Sequence, residues 1–203
     1  MKEENFDEMK TLIKESFGTR EPLGCGLHIE KEEVLEYFGD LAKEWIQYQP
    51  SVCAIYVPQN KIVAINFTKI LTRDKQETFN VQDISRFTPG MQKFIKIILD
   101  IESSCNIFKQ DETIDKILEI ALLTVDSDFS GNKLAYRMNE ESERIARKLG
   151  CQAVSVIATN KISQQIYRNM GYENRLWIDY KDVEVDISAM NGSSGINAFM
   201  KYL

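Results

Sequence analysis

A single histidine, His28, stands in 203 residues, and the four cysteines, Cys25, Cys53, Cys105 and Cys151, lie far apart with no Cys-x-x-Cys pair. A structural zinc site needs such ligands at close spacing, so no metal is expected. A Cys–His nucleophile would have to use His28 with Cys25, inside "GCGLH", where the flanking glycines describe a turn. That stretch follows no strand, so its two glycines are not a dinucleotide fingerprint. The thiols are expected to be free in a reducing cytoplasm. No apolar run approaches the ~18 residues that span a bilayer, and the N-terminal "MKEENFDEMK" lacks an apolar signal core. The expectation is a cytoplasmic protein with no membrane contact. Lys and Arg number 25 against 31 Asp and Glu, a net charge of −6. Without a basic patch interleaved with aromatics, nucleic acid is not an expected partner. An acidic balance is compatible with a cationic substrate. Repeats, low-complexity segments and long linkers are also missing.

What remains is a chain 43% apolar and 28% charged, the composition of one globular domain spanning residues 1–203. Phe6, Met9, Leu12, Ile13 and Phe17 recur at helical spacing and predict a helix over residues 4–17. A loop with Pro22 and three glycines follows. A second helix is expected from Glu30 to Gln49, with Val34, Leu35, Phe38, Leu41, Ala42 and Trp45 inward and Pro50 ending it. "SVCAIYV" and "KIVAINFTKIL" read as two strands joined by "PQN" at hairpin length. After a polar stretch over residues 76–90, a long helix is expected from Met91 to about Cys105, then a strand from Lys116 to Val125. A helix follows from inside "SDFSGNKLA" to Lys148, capped by Gly150. "CQAVSVIAT" reads as a buried strand, "NKISQQIYRNM" as a short helix stopped by Gly171, and "RLWIDY" and "NAFMKYL" as closing strands. The fold class is mixed α/β: one twisted central sheet flanked by helices.

The strand–turn–helix at residues 116–148 raises the chemical question. Such a turn aims the first amides of its helix at whatever lies in front, and those amides favour an anion. In a strand–turn–helix–strand–helix unit over residues 116–170 the ligand lies beyond the carboxyl ends of the strands. That edge would hold the amides of Gly131 to Ala135 together with Thr159, Asn160 and Ser163. On its own the same pattern also describes an ordinary turn and a helix N-cap.

The run "LLTVDSDFSGNKLAYRM…LGCQAVSVIATNKISQQIYRNMGYE" resembles the acetyl-CoA-binding half of the GNAT superfamily of N-acetyltransferases. "SFGTREPLG", "NIFKQDETIDKILEIALLTV" and the terminal "FMKYL" resemble, within it, the arylalkylamine N-acetyltransferases best known from insects. The resemblance covers nearly the whole chain. It implies the GNAT sheet, acetyl-CoA as co-substrate, a small primary amine as acceptor, a monomer, and direct transfer of acetyl to the amine. Alkylamines arrive protonated, with a pKa near 10, so a base must release the lone pair. The resemblance assigns that role to Glu21, which alone would read as a solvated loop carboxylate. It maps two hydroxyls after the fifth strand of that fold to Thr159 and Ser163, for substrate contact and protonation of the departing thiolate. Tyr167 stands where many acetyltransferases carry the tyrosine that protonates the coenzyme sulfur. Leu123, Thr124 and Val125 match the strand whose backbone pairs with the pantetheine arm and can stabilise an oxyanion. Ser130, Gly131, Asn132, Lys133, Leu134 and Ala135 match the pyrophosphate turn, with Asn160 alongside.

The turn departs from the family pattern of Arg or Gln, two residues, Gly, any residue, then Gly or Ala. Ser130 replaces the leading residue and Lys133 the central glycine. Glycine lets the backbone approach a phosphate with no Cβ between them, whereas lysine adds bulk and a charge. Three readings follow: an active arylalkylamine-type enzyme, a catalytically weak coenzyme A-binding relative, and an acetyltransferase for a polyamine or a protein amine. Substrate walls are expected from the loop after Glu21, residues 75–90 and the long helix.

Overall fold

A computed structural model describes residues 5–48, 50–74 and 83–203. Its six-stranded sheet runs in the order β1-β2-β3-β4-β6-β5. The strands are β1 (Val52–Tyr56), β2 (Lys61–Thr72), β3 (Lys116–Val125), β4 (Ala153–Ala158), β5 (Glu173–Asp179) and β6 (Gly195–Tyr202). The helices are α1 (Phe6–Thr11), which widens into a π turn over Leu12–Phe17, then α2 (Pro22–Gly26), α3 (Lys31–Tyr48), α4 (Pro89–Ser104), α5 (Ile107–Gln110), α6 (Leu134–Lys148) and α7 (Lys161–Asn169). Elements expected from the sequence lie within a few residues of these bounds. Residues 4 and 49 and residues 76–82 of the polar stretch lie outside the described residues.

The helices sort by face. Met9, Leu12, Ile13, Val34, Phe38, Trp45, Phe94 and Ile95 pack on one side of the sheet against Ile65, Phe67 and Leu122. Ala146, Tyr167 and Met170 pack on the other against Leu118, Ile120 and Val154. Each helix turns one apolar stripe to the sheet and the strands supply alternate residues to both faces, so neither face stays exposed.

One irregularity positions the site. Phe67 pairs with Leu122 but Thr68 pairs with Ile120, so Ala121 is an extra residue in β3. A one-residue bulge flips the faces of a strand. Before it, Leu118 and Ile120 face the α6–α7 side; after it, Leu122 faces the α3–α4 side. The parallel pairing of β3 with β4 also ends there, at Ile120 and Val156, although β3 continues to Val125. The two strands therefore part, and a gap opens in the middle of the sheet.

Three local features differ from the sequence expectation. The loop after the first helix contains α2, with Pro22 at its first position, where a missing N–H costs nothing. A further short helix, α5, precedes β3. Residues 180–194, between the last two strands, make two 3₁₀ turns and pack on α2: the Asp186 amide donates to the Gly26 carbonyl (2.8 Å), and a side chain at Gly26 would collide with Met190. Among the described residues, no helix is long and apolar enough to cross a membrane, and no group of three or more His, Cys, Asp or Glu is placed to hold a metal.

Candidate active site

A cavity of about 1360 Å³ occupies the gap between β3 and β4 and continues beneath α4. Glu21, Thr159, Ser163 and Tyr167 line it, as do Leu123 to Val125. Ser130, Gly131, Lys133, Leu134, Ala135 and Asn160 line it as well. Asn132 does not, because its side chain turns back to donate to the Phe129 carbonyl (3.1 Å). Of the walls expected from the sequence, α4 contributes Phe94, Ile98 and Glu102, and the loop after Glu21 contributes Pro22. Residues 83–90 do not reach the cavity, and 75–82 lie outside the described residues.

Glu21 is 5% exposed and is the N-cap of α2. Its carboxylate accepts from the amides of Leu23 (3.1 Å) and Gly24. A Cβ at position 24 would sit 3.0 Å from Glu21 Oε2, so glycine there leaves room for the carboxylate. Burial raises the pKa of Glu21 above the usual carboxylate range, while the facing Thr159 hydroxyl and the two amides hold it back. A carboxylate raised in this way is better matched to taking a proton near neutral pH than an exposed one. The preceding residue, Arg20, donates to the Ser16 carbonyl (2.7 Å) and to the Val125 carbonyl (2.5 Å), tying the Glu21 segment to the end of β3. No local sequence signal marks that contact across 105 positions.

Thr159 and Asn160 leave the end of β4. Asn160 caps α7 by accepting from the Ile162 amide (2.8 Å), which occupies its side-chain oxygen. The Ser163 hydroxyl donates to the Asn160 carbonyl (2.8 Å). Tyr167 is 1% exposed, with its ring against Tyr172 and Phe199 and its hydroxyl beside the Asn139 side chain. Burial pushes its pKa up, so it stays protonated. The structure brings Thr159 to Glu21; Ser163 and Tyr167 share the cavity on α7.

At the opposite lip, the turn leaves a run of amides unbonded in spite of its sequence. Lys133 adopts the left-handed conformation (φ 57°, ψ 20°) that glycine takes without strain, and it is the N-cap of α6. Gly131 is also left-handed, at φ 79°. The first amide to bond back is that of Arg137, to the Lys133 carbonyl. The amides of Gly131 to Tyr136 meet no acceptor among the described residues. In β3 the Asp126 amide donates to Val63 across the pair with β2. By strand alternation Val125 and Leu123 turn their amides the other way, into the gap, where the Val125 carbonyl already accepts from Arg20. Free amides at a helix start and strand amides that face the gap fit a long thioester cofactor carrying phosphates.

Residues 103–172 match the model of the acetyltransferase (GNAT) family. That stretch, about a third of the chain, carries the GNAT signature. Among solved structures, it is similar to arylalkylamine N-acetyltransferase 2 from Aedes aegypti, at 21% identity and a TM-score of 0.85 over 100% of this chain and 96% of that one. It is also similar to an agmatine N-acetyltransferase, at 18% identity and 0.79 over 100% and 97%. A Drosophila melanogaster polyamine N-acetyltransferase aligns at 19% identity and 0.77 over 98% and 96%. These likenesses establish the GNAT fold along the whole chain. No curated protein matches it.

The rest of the cavity carries side chains that the sequence did not mark as site residues. Phe17, Tyr37, Phe38, Trp45 and Phe94 form an aromatic wall. Further along, Lys69 pairs with Glu119 (2.5 Å) and lies 3.9 Å from Glu102. Burial, then the charge of Glu119, raises the pKa of Glu102, and Lys69 opposes the rise. These residues come from β2, β3 and α4, and only the folded sheet brings them together.

Proposed function

We propose that the chain transfers acetyl from acetyl-CoA to the nitrogen of a small primary amine, with Glu21 as the base. The observation that carries this reading is a buried, amide-bonded carboxylate at the gap between β3 and β4, facing Thr159. Bound acetyl-CoA supplies the acyl group as a thioester. The turn amides from Gly131 to Ala135 and the Lys133 ammonium would hold its phosphates, and the gap edge of Leu123 and Val125 its arm. Glu21, directly or through a water, takes the proton that an alkylammonium must lose before its lone pair can attack. Tyr167 or Ser163 returns a proton to the departing sulfur.

The aromatic wall favours an arylalkylamine, because rings in that wall can stack on a ring in the substrate. A second reading, a polyamine or agmatine-like acceptor, draws support from Glu102 and Glu119, which place two carboxylates along the same cavity. Thiol release from acetyl-CoA, measured with tryptamine, dopamine, agmatine and spermidine, separates the two. The arylalkylamine reading expects kcat/KM for tryptamine or dopamine to exceed that for agmatine and spermidine by at least about 10-fold, the effect of roughly 1.4 kcal/mol of differential binding. The reverse order selects the polyamine reading. No turnover with any amine, together with intact acetyl-CoA binding, selects the weak relative.

A further inference from the structure

Tyr180 has no place in the roles assigned above, yet it is 0% exposed and its hydroxyl has one defined partner in the site: it donates to the Thr159 carbonyl at 3.0 Å. Its backbone amide is held by the Ser194 carbonyl (2.9 Å), which anchors it between β5 and β6. The same connection reaches the other side of Glu21, where Asp186 and Met190 pack on Gly26 of α2. One segment, residues 180–194, therefore grips both the helix that Glu21 caps and the residue whose hydroxyl faces its carboxylate.

We infer that Tyr180 is a positioning residue: by fixing the Thr159 carbonyl it holds the Thr159 hydroxyl against Glu21 and so sets the proton affinity of the base. The inference rests on reading Glu21 as the base for its kinetic consequence, but not for its geometry. Electrostatics agree, since the charge of Glu21 is felt at Tyr180, whose pKa is raised by burial first and by Glu21 second. Among the described residues, the other titratable or charged groups at Glu21 are Cys25, raised by burial and then by Glu21, and Arg20, whose guanidinium is turned to Ser16 and Val125. The Thr159 hydroxyl is the side chain that holds the pKa of Glu21 down, so losing its placement must move that pKa upward.

The test compares wild type with Tyr180→Phe, Thr159→Val, Thr159→Ser and the Tyr180→Phe/Thr159→Val double variant. Two readouts are used: the acid limb of kcat/KM against pH, and the Glu21 side-chain carboxyl titration followed by carbon-13 NMR. Tyr180→Phe should raise both by about 1 pH unit, the low end of the scale of one hydrogen bond to a charged group. Coenzyme affinity should be unchanged. Thr159→Val should do the same, Thr159→Ser should keep the wild-type values, and Tyr180→Phe should add nothing on the Thr159→Val background. If Tyr180→Phe lowers the melting temperature or turnover at every pH without moving the carboxyl titration, or adds its full shift to Thr159→Val, the inference is overturned. If the NMR titration moves while the kinetic limb does not, Tyr180 positions Thr159 as inferred and the base reading fails separately.

Discussion

Replacing Lys133 gives the sharpest test of whether the altered turn still does phosphate-binding work. A non-glycine residue in the left-handed region carries a strain of about 1–2 kcal/mol, and Lys133 sits there at φ 57°. Glycine removes the strain but loses about 0.5–1 kcal/mol through its freer unfolded chain. Lys133→Gly should therefore be neutral to stabilising by about 1 kcal/mol, a rise of about 2–4 °C in melting temperature for a chain of this size. Lys133→Ala keeps the strain and should be less stable than Lys133→Gly. At an ordinary helical position the order is reversed, with alanine ahead of glycine by about 1 kcal/mol, so the sign alone is diagnostic. For binding, Lys133→Gly gives up a lysine–phosphate contact of about 1.5–3 kcal/mol and gains close backbone approach. Acetyl-CoA affinity should change by less than about tenfold, with a shallower salt dependence. Lys133→Glu sets a negative charge against the phosphates and should abolish saturable binding. Thermal melts and calorimetry at two salt concentrations decide the matter. An alanine variant more stable than the glycine variant would refute the conformational argument. A wild-type protein with neither heat nor thermal shift at millimolar acetyl-CoA would refute the cofactor reading.

Other outcomes follow from the site. Because the Ser163 hydroxyl already donates to Asn160 while Tyr167 stays protonated, Tyr167→Phe should cost about 10- to 100-fold in turnover and Ser163→Ala less than about threefold. Two silent substitutions in stopped-time assays would mean that water protonates the thiolate. Glu102 has a folded pKa above its ordinary value, so folding binds its proton more tightly. Its contribution to stability is present in acid and lost as pH rises from the ordinary carboxylate range through the raised value. Glu102→Gln should therefore gain stability relative to wild type as pH rises from 5 to 9 in chemical denaturation, and a difference independent of pH would count against a raised Glu102.

Much of the frame was legible in the sequence. The strand at Lys116–Val125 and the helix ending at Lys148 stand where alternation, the turn and Gly150 put them, since those signals are local. The gap that makes the site was not legible. It depends on one extra residue, Ala121, and an extra residue is defined only by what β2 pairs with across it. Glu21 was singled out by resemblance, but its burial and its capping role were not legible, because "GTREPLGCG" has the composition of a loop, and the contact of residues 180–194 with its helix is non-local. Arg20 and Tyr180 escaped notice for the same reason: their partners, Val125 and Thr159, are 105 and 21 positions away.

The role of Glu21 is tested most directly by Glu21→Gln, which keeps the size of the side chain and one of the two amide bonds that cap α2 but removes the proton acceptor. Acetyl-CoA affinity by calorimetry should be nearly unchanged, while turnover of the best amine near neutral pH should fall by about 100-fold or more. Turnover within about threefold of wild type from pH 6 to 9 would contradict the account and return Glu21 to a structural role.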